Sequence, residues 1–202
     1  PRIEVLGKDV DQTHLALASR AYDMHDEKRY ALNLLSTVLG GNTSSRLFME
    51  IREKLGLAYY VFASPDYYSD AGYLGIGAGV GHSEAERTVK KIAEILKDFK
   101  TKAPIKKDLD AAKSYVRGQM ALSLETSDEI ASFCAAQELF YKKIVQPQDM
   151  LKKIEKVKES DILKVAKEIF KPERLNLAVI GTKENIVKKE TAYKQSLSWI
   201  SP

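Results

Sequence analysis

Residues 44–79, SSRLFMEIREKLGLAYYVFASPDYYSDAGYLGIGAG, change hydrophobic period once, and that change limits what the chain can build. Leu47, Phe48, Ile51 and Leu55 fall within one arc of about 100° on a helical wheel, the width of a core-facing stripe. Arg46, Glu50 and Glu53 lie on the far side. Arg52 stands at the edge of the arc, so its stem can lie on the core while its guanidinium reaches past it. Gly56 then breaks the helix, and residues 57–63 read as a strand. Strict alternation sends Leu57, Tyr59 and Val61 to one face and Ala58, Tyr60 and Phe62 to the other. Arg52 and Tyr59 therefore stand on either side of one helix-to-strand corner, where a permanent cation and a phenol can converge.

The second strand of this stretch, over residues 71–80, divides its faces unusually. Leu74, Ile76, Ala78 and Val80 form one face, and Gly75, Gly77 and Gly79 the other. Glycine weakens a strand, so the alternation implies close approach by another backbone or a bulky group, as at a cleft floor, or else close packing or sheet curvature. The run fits no dinucleotide-binding glycine fingerprint and lies within a strand.

Around this stretch the chain alternates helical and strand patterns. Residues 1–10 read as a mixed-charge connector, and residues 13–19 as a strand with Leu15 and Leu17 inward. Residues 28–39 form a helix that ends at Gly40-Gly41, and Ser44 or Ser45 caps the next one. Ser64-Pro65-Asp66 and Ser69-Asp70 mark a turn region. Ser83 with Glu86, and Thr126 with Glu129, have capping-box spacing. The first opens a helix carrying Ala85, Val89, Ile92, Leu96 and Phe99. The second opens a helix through about Tyr141. Between them Leu109, Ala112, Val116 and Met120 mark another. Pro147 suits the first turn of a helix with Ile154 and Val157 inward. Residues 161–170 are helical, residues 175–180 form a short strand, and a charged tail follows. About four strands and six or seven helices in this order describe an α+β domain. The sheet is antiparallel or mixed, with helices packed mainly on one face.

Composition bounds the function class. A chain of 202 residues suits a single domain over residues 1–202. Thirty-two basic and 28 acidic residues give a net charge of +4, a mixed surface with no nucleic-acid stripe. No apolar run reaches the ~18 residues of a membrane span. The first residues show no initiator Met and no signal-peptide pattern, as in a piece of a longer protein or one subunit of a two-part enzyme. The single cysteine, Cys134, reads as a small buried hydrophobe on a helix, and leans toward a reducing, cytoplasmic compartment. His14, His25 and His82 are the three histidines, and none has a second histidine four residues on. No helical turn can therefore present two imidazoles to one metal.

Gly40-Gly41, Ser44-Ser45-Arg46-Leu47-Phe48, Ile51-Arg52-Glu53-Lys54 and Gly56-Leu57-Ala58-Tyr59 together resemble the second-half signature of one family. It is that of the insulinase, pitrilysin and mitochondrial processing peptidase zinc metallopeptidases. The resemblance implies one of two related halves, each of about this length. One half carries His-x-x-Glu-His and zinc on a helix. The other, the C-terminal and zinc-free half, supplies an arginine and a tyrosine seven positions apart, which here are Arg52 and Tyr59. The resemblance implies that the pair contacts the substrate carbonyl and stabilises the negative charge developing on its oxygen. The expectation is thus a zinc-free half, inactive alone, whose partner half brings the zinc and whose substrate is a peptide held extended between the halves. Arg46 and Glu50 are expected to stabilise the helix or the interface between halves. The alternatives are a non-catalytic structural subunit of the same fold, as the respiratory core proteins are, and a free-standing binding module. A scaffold has no need of both Arg52 and Tyr59.

Overall fold

The computed structural model describes residues 2–141, 144–182 and 189–198. A five-stranded mixed sheet runs in the order β1-β5-β2-β4-β3. Its strands are β1 (Arg2–Gly7), β2 (Thr13–Arg20), β3 (Ala58–Tyr67), β4 (Gly72–Val80) and β5 (Leu175–Gly181). β1 runs parallel to β5, with Ile3 opposite Leu177, and the other pairings are antiparallel. The helices are α1 (Arg29–Gly40), α2 (Ala85–Thr101), α3 (Lys106–Leu122), α4 (Ser127–Tyr141), α5 (Pro147–Lys156), α6 (Glu159–Ile169) and α7 (Glu190–Ser198). The α+β architecture with a mixed sheet agrees with the sequence pattern.

The core lies between the sheet and the helices. α1 packs on β3, α2 on β2 and α7 on β1. Leu32, Leu34, Leu35 and Leu39 of α1 are fully buried, as is Leu96 of α2, and they share one hydrophobic core with Leu15, Leu17, Leu74 and Ile76 from the sheet. Each such side chain contributes ~1.5–3 kcal/mol on leaving water. The opposite sheet face is open to solvent at Ala16, Phe62 and Ala178.

Several local expectations change. The connector over residues 1–10 contains strand β1, whose partner β5 lies at the far end of the chain and leaves no local signal. Pro65 is no turn residue: β3 continues through it to Tyr67, with Pro65 opposite Leu74. A proline is tolerated there because β3 is an edge strand. The Ser83–Glu86 box does not form. A short 3-10 turn, His82–Glu84, precedes α2, and the Ser83 hydroxyl bonds to Glu84 instead. The Thr126–Glu129 box does form, with Thr126 N–H donating to Glu129 Oε2 at 3.0 Å. Pro147 opens α5 as expected. Of the charged tail, residues 183–188 and 199–202 lie outside the described residues, and Glu190–Ser198 is helix α7.

Candidate functional site

The helix bearing Arg52 is wound more widely than an α-helix. Phe48–Lys54 is π-helical, and the Leu57 amide donates to Ile51 O, six residues back, at 2.9 Å. Such windings concentrate at functional positions. Leu47 and Ile51 are fully buried as the stripe requires, while Leu55 is 37% exposed at the loosened end. Gly56 then turns the chain at φ +60°, the left-handed region that glycine enters without a Cβ clash. Arg52 and Tyr59 thus flank one corner.

Tyr59 does not follow the alternation. In the β3–β4 ladder Ala58 faces Val80 and Tyr60 faces Gly79, so Tyr59 is the extra residue of a β-bulge. The bulge resets the phase of the strand. Ala58 and Val61 are both buried, whereas Tyr59 is 68% exposed and Tyr60 36%. The expected grouping of Tyr59 with Leu57 and Val61, and of Tyr60 with Ala58, is therefore corrected. Both tyrosines leave the core because one residue is unpaired.

The glycines of β4 explain their neighbours. Tyr60 lies over Gly79 and Phe62 over Gly77: a Cβ on those glycines would come within 2.3 Å and 2.5 Å of the two rings. The rings stack at 6.1 Å with an interplanar angle of 24°. On the next strand His14 is in register with Gly79, and its Nδ1 is hydrogen-bonded to the Tyr60 hydroxyl at 2.9 Å. The alternating glycines signalled a bulky group on this face; the role of His14 had no such signal.

Arg52 is exposed, with its guanidinium carbon 5.1 Å from the centre of the Phe48 ring, a cation–π contact one helical turn back. Among the described residues, neither Arg52 nor Tyr59 has a hydrogen bond or ion pair to another side chain. Their neighbours on the helix are spoken for. Glu50 bonds Lys54 at 2.7 Å and lies 3.6 Å from Lys91 of α2, while Arg46 lies 3.7 Å from Asp98 of α2. The Lys54 hydrogen bond holds the Glu50 carboxyl below its usual range. Arg46 and Glu50 thus fasten the signature helix to α2 within this domain.

The histidines are dispersed, each with its own contact: His14 with Tyr60, His82 Nδ1 with Thr13 Oγ1 at 2.8 Å, and His25 edge-on to Tyr141 at 5.4 Å. Among the described residues no three His, Cys, Asp or Glu side chains gather as a metal would need. These residues do not fit a zinc ion. Nor is any described helix long and apolar enough to cross a membrane.

Comparison with known proteins gives a consistent family. An uncharacterized zinc protease of Streptomyces coelicolor is 32% identical over 180 residues, covering 89% of this chain and 39% of the relative. The zinc protease YmxG of Bacillus subtilis, also uncharacterized, is 31% identical over 179 residues, covering 89% of this chain and 44% of YmxG. The chain thus spans about two-fifths of these relatives. Among solved structures, a protease from Helicobacter pylori superposes with a TM-score of 0.82 at 26% identity, over 89% of this chain and 43% of that one. A complex III chain from Candida albicans superposes at 0.84 with 14% identity, over 98% of this chain and 49% of that one; this shows shared fold alone. The family profile described as "Peptidase M16 inactive domain" matches residues 1–116, more than half of the chain, which therefore belongs to the peptidase M16 family as one of its inactive domains.

Proposed function

We propose that this chain is the zinc-free, substrate-contacting half of a two-half zinc metalloendopeptidase. A homologous half, on the same polypeptide or a separate subunit, supplies His-x-x-Glu-His, the zinc and the general-base glutamate. The observation that carries the reading is the bulge at Tyr59. It frees a phenol beside a corner whose other flank carries Arg52, and neither donor is occupied by an acceptor among the described residues. Arg52 supplies a guanidinium with several N–H donors, and Tyr59 adds a directional O–H donor. Both can engage one peptide carbonyl oxygen without first breaking a bond inside the protein. Donors already in place when charge grows on that oxygen lower the barrier. The names of the curated relatives as zinc proteases, and the absence of a fitting donor set among the described residues here, support placing the metal in the other half.

The test is peptide hydrolysis by the chain purified with its homologous half. The two-half protein should cleave unstructured peptides, lose activity to a chelator and regain it with zinc, while the chain alone is inert. Cleavage by the chain alone, or an inert two-half protein with its zinc bound, contradicts the reading.

A further inference from the structure

We infer that Phe62 is a specificity-determining residue whose exposed ring face takes a bulky apolar side chain of the peptide, within about three residues of the bond that Tyr59 serves. The inference rests on the two-half reading and deepens it by naming the class of substrate. Phe62 follows Tyr59 on the edge strand β3 and lies on the open face of the sheet. One face of its ring covers the backbone of Gly77, where a Cβ would come within 2.5 Å of ring carbons. The ring is nevertheless 48% exposed, so its other face is open to water. Its plane lies at 24° to that of Tyr60, whose hydroxyl is tied to His14. A bare backbone below and a fixed neighbour beside it hold the Phe62 ring flat on the sheet.

The ground beyond the ring is clear. In register across the sheet, Phe62 is followed by Gly77, Ala16 and Ala178, and both alanines are exposed. Inter-strand steps of ~4.8 Å place Ala178 about 14 Å from Phe62 along a row in which no side chain exceeds a methyl. The row meets its first charge at Glu4 of β1. A flat ring with an open face suits another aromatic ring or a large aliphatic chain, which leaves water there without an unpaired polar group. A charged side chain would lose hydration and find no partner between Phe62 and Ala178. Chain position names the occupant. An extended peptide whose carbonyl meets Tyr59 and which runs along β3 comes over the Phe62 ring within about three residues, some ~10 Å of chain. The ring is already fixed, so its ordering costs binding little.

The test gives the two-half protein a library of unstructured peptides, randomised over three residues on each side of one cleavable bond, with the products read by mass spectrometry. Phe, Tyr, Trp, Leu and Met should be enriched about tenfold or more over Gly and Asp at one of these positions. Phe62→Ala should abolish the enrichment at that position alone and keep the preferences elsewhere in the peptide. Ala16→Leu puts a branched side chain on the open face one strand beyond Gly77. It should lower the same enrichment while leaving the melting temperature unchanged, because residue 16 already faces water. If both variants cleave the library with the wild-type profile, the subsite is wrong and the two-half reading survives. A wild-type profile without apolar enrichment at any randomised position overturns the subsite as well. If the zinc-loaded two-half protein cleaves no member of the library, the two-half reading fails and takes the subsite with it.

Discussion

The Tyr60 hydroxyl meets His14 Nδ1 at 2.9 Å across β4, above the bare backbone of Gly79. The glycine makes the meeting possible. With any side chain at residue 79, the ring of Tyr60 could not lie flat on the strand and reach His14. Gly77 accommodates Phe62 in the same way. The aromatic ledge beside Tyr59 is thus written jointly by β3 and β4.

Gly79→Ala should therefore destabilise the fold by ~1–3 kcal/mol, the usual cost of overpacking. Tyr60→Ala should relieve much of that cost, giving a coupling of ~0.5–3 kcal/mol in a double-mutant cycle by urea unfolding. Additive effects would show that the two sites do not press on each other.

Gly56→Ala isolates the helix-to-strand corner. A Cβ at this position meets nothing within 4 Å, so the substitution costs only backbone strain at φ +60°. That strain is ~1–2 kcal/mol, enough to lower the melting temperature by roughly 2–4 °C per kcal/mol in a chain of this size. An unchanged melting temperature would mean that the corner has no left-handed residue.

Much of this arrangement was legible in the sequence because it depends on local period. The stripe of the signature helix, the stop at Gly56 and the strands on either side of the turn all follow from spacing within a dozen residues. The face assignment of Tyr59 failed because alternation assumes an unbroken ladder, and a bulge depends on the partner strand. β1 was missed for a related reason: Ile3 and Val5 gain meaning only against β5, some 170 residues later. The partnership of His14 with Tyr60 likewise needs the sheet order, which no local pattern encodes.

Tyr193 of α7 gives a prediction in alkaline solution. Its hydroxyl is buried without a hydrogen-bond partner among the described residues, and burial pushes its pKa up to about 12. A folded-state pKa above the unfolded value near 10 contributes stability that is complete below pH 10 and lost as pH rises toward 12. Tyr193→Phe should remove this part of the alkaline loss, seen as a shallower fall of melting temperature above pH 10. At neutral pH the variant should be as stable or more so, since an unsatisfied buried hydroxyl costs ~1–3 kcal/mol. A drop of about 4 °C or more at pH 7 would contradict this.

The central claim is that Tyr59, and not its neighbour, serves the reacting carbonyl. The comparison of Tyr59→Phe with Tyr60→Phe in the two-half protein tests it most directly. Each change removes one hydroxyl and keeps the ring. The Tyr60 hydroxyl is already committed to His14, whereas that of Tyr59 has no partner among the described residues. Tyr59→Phe should lower kcat by about 10²–10³, the ~2.7–4 kcal/mol expected for losing one donor to a developing oxyanion, with little change in KM. Tyr60→Phe should leave kcat within about twofold. If Tyr59→Phe also left kcat within about twofold, with stability and zinc content unchanged, the bulge would be a feature of the fold alone.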